Sequence, residues 1–139
     1  MPYVRALRCV SCGATHSTRV PYTCPACDGI LDIQYDYRAI SRRLTRRTLA
    51  ARRGKTQWRY RELLPIGDDA TLPAVPVGWT PITDSDALAR HLGIRTLYLK
   101  DEGRNPSGSL KDRASALGVV KAREKRRKII ACASTGNAA

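Results

Sequence analysis

Residues 102–116 read EGRNPSGSLKDRASA. Lys111 stands directly behind a Pro-Ser-Gly-Ser turn and opens an apolar helical stretch, an unusual post for a residue that normally faces solvent. Pro106 and Gly108 predict a compact turn. Ser109 is placed to cap the helix, and Asp112 lies in the first turn, where the dipole favours an acid. At the positive end of a helix the Lys111 amine is expected to have a depressed pKa, which suits attack on an aldehyde to form a Schiff base. An ordinary exposed lysine at a helix start is the alternative, and this stretch alone does not choose between them.

The flanks on either side predict alternating elements. "SDALARHLG" (85–93) is an amphipathic helix closed by Gly93, and "RTLYLK" (95–100) is a short strand. "KDRASALGVVKAREKR" (111–126) is a helix, and "KIIACAS" (128–134) is an apolar strand. Strands separated by helices predict an α/β fold with a parallel sheet. The final "STGNAA" is a turn that starts another helix, where free N–H groups and hydroxyls make an anion site suited to a carboxylate. Upstream, "IGDDATLPAVPVG" (66–78) reads as a linker or surface loop.

The N-terminal third carries a different signal. Cys9-x2-Cys12 and Cys24-x2-Cys27, eleven residues apart, are paired as ligands of a tetrahedral cation, with Gly13 and Gly29 suited to the left-handed backbone of such knuckles. Four thiolates predict a closed, structural Zn²⁺ site, here a zinc ribbon over residues 1–36; disulfides are the competing reading, set aside for a chain with no export signal. His16 is read as a surface residue and Cys132 as a buried core thiol. "GILDIQYDY" (29–37) alternates as a strand.

The net charge is +13, and ten Arg or Lys with no acid lie between Arg38 and Arg61. Residues 37–64 form this basic helical segment, in which Ile40, Leu44 and Ala51 make an apolar stripe. We read it as a solvated helix face, since no aromatic residues interleave to stack bases; a zinc-ribbon module contacting nucleic acid is the alternative. No apolar run approaches bilayer length, and the start "MPYVRALRCV" has no signal-peptide core, so a cytoplasmic location without membrane contact is expected.

Three stretches resemble threonine synthases, pyridoxal phosphate (PLP) enzymes of the tryptophan-synthase-β fold group: "WRYRELLP" (58–65) with "GWTPI" (78–82), "LKDEGRNPSGSLKDRA" (99–114) and "ASTGNAA" (133–139). A four-cysteine ribbon also occurs in that family. The resemblance implies that Lys111 holds PLP as a Schiff base and that Asn137 bonds the cofactor's phenolic oxygen. It implies that Ser134, Thr135 and Gly136 hold the substrate carboxylate, and that Asn105 and Ser107 shape the lysine turn. The implied reaction turns O-phospho-L-homoserine and water into L-threonine and phosphate. Lys100 and Arg104 are candidates for the substrate phosphate by sequence proximity. Leu110 departs from the family's usual Phe. The family's glycine-rich phosphate loop has no counterpart here, so residues 65–139 are expected to be an incomplete catalytic domain, inactive alone, of a longer homo-oligomeric enzyme. A threonine or serine dehydratase shares the lysine and Ser-x-Gly-Asn turns and is the runner-up.

Overall fold

The computed structural model describes residues 1–19 and 22–134. The expected sites Thr135, Gly136 and Asn137 lie outside the described residues. The chain falls into two units, one of Met1–Arg53 with Arg59–Ala70, the other of Gly54–Trp58 with Thr71–Ala139.

In the first unit, β1 (Val4–Cys9) is the centre of an antiparallel sheet between β2 (Thr15–His16) and β3 (Leu31–Tyr35). Leu7 pairs with His16 on one side and Ile33 on the other, and Cys9 ends the strand opposite Leu31. Asp36 then ties the sheet to α1 (Tyr37–Arg43). Its carboxylate accepts from the Ala39 N–H at 2.9 Å and pairs with Arg5 at 2.7 Å, and its own N–H donates to Tyr3. The core is small: Cys9, Cys24, Ile40 and Ile66.

The basic segment is not one helix. α1 stops at Leu44, and α2 (Arg46–Ala50) restarts after Thr45, which accepts from the Thr48 N–H while Thr48 Oγ1 accepts from the Thr45 N–H. This capping box favours a new start over a continuous helix. The expected stripe breaks there: Ile40 is buried, Leu44 half-buried and Ala51 exposed. Three of the arginines are used internally. Arg52 forks onto Glu62, Arg59 donates to the Leu49 carbonyl at 2.8 Å, and Arg61 donates to the carbonyls of Gly67 and Asp68.

In the second unit, β4 (Ile82–Asp84) pairs with β5 (Tyr98–Lys100), and α3 (Asp86–His91) lies between them in sequence. The pair is antiparallel, with Thr83 opposite Leu99, so the expected parallel sheet is not formed among the described residues. The reason is local. α3 has six residues and Gly93 reverses the chain at φ +65°, with the Ile94 N–H donating back to Ala89. The Ser85 N–H then meets the Leu97 carbonyl at 3.1 Å, which makes β4 and β5 a hairpin with a helical loop. α4 (Asp112–Glu124) follows the lysine turn and buries Val120 completely.

Two further expectations are corrected. Residues 128–134 form no strand. Ile129 is 85% exposed, Cys132 is exposed rather than a core thiol, and among the described residues no neighbouring strand offers their backbone a ladder to join. The supposed linker 66–78 begins with Ile66, buried in the first unit, and supplies Val77 to the core of the second, at 2% and 3% exposure. Its Pro and Gly content marks irregular backbone, not a loose tether.

Candidate metal centre and lysine turn

β1 delivers Cys9 to the start of the first knuckle, where the Gly13 N–H donates to the Cys9 carbonyl at 3.1 Å with Gly13 at φ +74°. The second knuckle closes on Cys24, whose carbonyl accepts from Cys27 and Asp28. Here the left-handed residue is Asp28 at φ 55°, not Gly29. Gly29 is needed for room: a Cβ there would stand 2.8 Å from Cys9 Sγ and 2.6 Å from Ser11 Oγ. A Val10 N–H to Ile30 carbonyl bond at 3.0 Å joins the two knuckles.

The sulfurs of Cys9, Cys12, Cys24 and Cys27 all lie within 4.8 Å of one another. Cys9 and Cys27 are 3.5 Å apart, and Cys12 and Cys24 3.6 Å. All four are free thiols. With Zn–S bonds of about 2.3 Å, tetrahedral sulfurs sit about 3.8 Å apart, so the cluster has the dimensions of a four-thiolate metal site. The electrostatics point the same way. The Cys12 N–H, foremost among several donors, holds the Cys9 thiol down at about 6. Cys27 goes the other way, up to about 12. The Gly29 N–H pulls it down, but the sulfurs of Cys12 and Cys9, burial and the Cys24 sulfur together outweigh that pull. Neighbouring sulfurs this close resist ionising together, and a cation at their centre removes the conflict.

His16, read from the sequence as a surface residue, is drawn partly inward. It is half-buried, with Nε2 3.3 Å from Cys24 Sγ.

In the second unit the lysine turn hangs on one carboxylate. Glu102 accepts from Arg113 Nε at 2.7 Å and Nη2 at 2.8 Å, from Thr80 Oγ1 at 2.7 Å and from Asn105 Nδ2 at 3.0 Å. Arg113 foremost, then Thr80, hold its carboxyl well down, to about 2. Asn105, 4% exposed, carries the restraint into the turn: its Nδ2 also donates to the Glu102 carbonyl, and its Oδ1 accepts from the Gly78 N–H at 3.0 Å. Gly78, at φ +88°, packs so closely that a Cβ would lie 2.8 Å from the Gln57 nitrogen and 3.0 Å from Arg113 Nη1. Gln57 in turn donates to the Arg113 carbonyl at 3.2 Å.

The far side of the turn is closed by Asp112, which accepts from the Ser107 N–H at 2.8 Å and from its hydroxyl. These bonds, the hydroxyl first, lower the Asp112 pKa. Ser109 is buried, and its Oγ accepts from the Lys111 N–H at 3.2 Å. Lys111 occupies the cap position, one residue before α4, and the Ser115 N–H bonds its carbonyl. Its backbone is fixed on both sides while its side chain is exposed, and no residue among those described holds the amine. An open groove of about 460 Å³ runs beside the turn, walled by Pro73, Val75, Val77, Pro106 and Val119.

Lys100 donates to the Thr80 carbonyl at 2.9 Å, whereas Arg104 and Ser134 are exposed. Sequence reading missed Thr80, Glu102, Arg113 and Gln57 altogether. The quoted stretches contained the first three, but no local spacing shows that residues 80, 102 and 113 converge.

Residues 74–139 match the family described as "Pyridoxal-phosphate dependent enzyme". The chain is 43% identical over 136 residues to the threonine synthase of Methanosarcina acetivorans, covering 94% of this chain and 31% of that protein. It is 41% identical over 131 residues to the threonine synthase of Methanocaldococcus jannaschii, covering 94% and 32%. Against the threonine synthase of Mycobacterium tuberculosis it is 42% identical over 78 residues, covering 56% and 21%. It thus spans about a third of the length of the first two curated relatives. No solved structure matches the chain. The similarity to threonine synthases therefore extends over nearly the whole chain, and the lysine turn lies within the stretch that matches the pyridoxal-phosphate dependent enzymes.

Proposed function

We propose that this chain supplies the cofactor-attaching lysine of a threonine synthase that converts O-phospho-L-homoserine and water to L-threonine and phosphate. The observation that carries the reading is the Lys111 turn. A backbone held by Ser109, Asp112 and, through Asn105, by Glu102 presents an exposed amine that has no partner among the described residues. The fit to PLP is chemical: an unengaged primary amine at a fixed point is what an aldehyde requires. When bound, PLP supplies the electron sink for the elimination and the hydration. Lys111 would hold it through its Nζ, and the same amine would carry protons at the substrate carbons. Ser134, Thr135, Gly136 and Asn137 complete the proposal as the carboxylate and cofactor contacts.

The domains divide as a metal ribbon (1–36), a basic segment (37–64) and part of the catalytic domain (65–139). The ribbon's metal is Zn²⁺, held by Cys9, Cys12, Cys24 and Cys27, with no position left open for chemistry. We read the 139 residues by themselves as inactive, the full-length enzyme as a cytoplasmic homo-oligomer, and the partner as a small molecule and not nucleic acid. In full-length enzyme carrying these residues, borohydride should fix PLP on Lys111, and threonine and phosphate should appear in equal amounts from O-phosphohomoserine. Peptide mapping that places the reduced cofactor on Lys100 or Lys121 overturns the lysine assignment. Release of a 2-keto acid instead of threonine would favour a dehydratase.

A further inference from the structure

We propose that His16 is a positioning residue of the metal centre, donating its imidazole N–H to the Cys24 thiolate; the inference rests on the zinc reading above. The sulfurs differ in what surrounds them. Cys9 Sγ draws on the Cys12 N–H at 3.5 Å, and Cys27 on the Gly29 N–H. Cys12 and Cys27 are exposed to water. Cys24 is 0% exposed, and among the described residues no backbone N–H reaches its sulfur. A buried thiolate without a donor is costly, and His16 Nε2 at 3.3 Å supplies the donor. The ring is set by the sheet that delivers Cys9. β2 consists of Thr15 and His16 alone, and it places His16 opposite Leu7, two residues before Cys9.

His16 therefore stands outside a complete set of four sulfurs and spreads the charge of one of them. Removing it leaves the metal stoichiometry intact and weakens the hold on the metal. The test uses the whole 139-residue chain loaded with Zn²⁺ or Co²⁺, comparing wild type with His16→Leu, which keeps apolar bulk, and His16→Gln, which keeps an N–H donor. The wild type should bind one metal and show the visible spectrum of Co²⁺ in four thiolates. His16→Leu should release Zn²⁺ to a competing chelator about 10-fold faster or more. Its sulfur-to-cobalt charge-transfer band should move to lower energy, and His16→Gln should restore most of both.

Unchanged release and an unmoved band in His16→Leu overturn the proposal while leaving the zinc centre standing. A wild-type Co²⁺ spectrum of three sulfurs and one nitrogen also overturns it, because His16 would then be a ligand. A wild type that binds no metal removes both readings together. If His16→Leu cannot fold around the metal, His16→Gln decides alone: wild-type band and release support the donor role, and loss of either refutes it.

Discussion

In the first unit two loops are tied by four sulfurs converging on one point; in the second, the loop before α4 is tied by a single carboxylate that gathers an arginine, a hydroxyl and an amide. Neither unit has much apolar core. The first buries Cys9, Cys24, Ile40 and Ile66, and the second buries Gln57, Thr80, Asn105 and Ser109 as well as Trp58, Val77, Ala89 and Val120. Polar links substitute for core in both, but their dependences differ. The sulfur cluster is self-repelling until a cation joins it, whereas the Glu102 cluster contains its own counter-charge. The first should thus be conditional on metal, and the second on pH.

The largest expected effect follows from the first half of that contrast. Binding of a structural Zn²⁺ is worth about 10–16 kcal/mol, which exceeds the stability of most small domains. Stripping the metal, or replacing Cys24 with Ser, should unfold the β1–β3 ribbon, seen as loss of its circular dichroism together with loss of one Zn²⁺ per chain. A ribbon whose spectrum ignores chelation breaks the comparison at its base.

Next in size is Gly78→Ala. The new Cβ meets a backbone nitrogen at 2.8 Å, and φ +88° is a region that side chains avoid. Strain plus overpacking should cost about 3 kcal/mol, read from denaturant unfolding with metal kept saturating. Glu102→Gln should cost about 2 kcal/mol at neutral pH, the scale of hydrogen bonds to a charged group. The sign of its pH dependence is fixed. The folded carboxyl lies at about 2, below its ordinary value, so its contribution is full above about pH 4.5 and disappears as pH falls towards 2. Glu102→Gln should flatten that part of the acid limb. An acid limb identical to wild type would show that Arg113 and Glu102 are not the link assumed here.

The two regions also differ in how much of them was legible. The sulfur cluster could be read because its cysteines come as two close pairs, and β3, α3 and α4 because their periodicity and Gly93 are local signals. The break at Thr45 was readable in principle from Thr45 and Thr48 but was masked by the run of arginines. The Glu102 cluster was hidden because its members are scattered from Gln57 to Arg113 and each looks like an ordinary surface residue. His16 was misjudged because counting ligands says nothing about which sulfur lacks a donor. No parallel sheet forms among the described residues, and one was expected because alternation of helix and strand does not distinguish a crossover from a hairpin with a helical loop; the Ser85–Leu97 hydrogen bond does.

The smallest expected effect is the most informative for function. Lys111 is exposed, its amine has no partner among the described residues, and the turn around it is held by Ser107, Ser109 and Asp112 through bonds that do not involve its side chain. Lys111→Ala should therefore change the stability of the chain by no more than about 0.5 kcal/mol, as an unengaged surface substitution does. Against Gly78→Ala and Glu102→Gln, it should look silent in every unfolding curve, and it should leave the zinc content unchanged. In full-length enzyme the same substitution should remove borohydride-fixed cofactor and nearly all turnover. A restraint network that keeps its full stability when the residue it presents is cut away is built to place that residue. If Lys111→Ala instead destabilised the chain by more than about 1 kcal/mol, the lysine would be part of the network, and its claim to be the reactive amine would lose its structural basis.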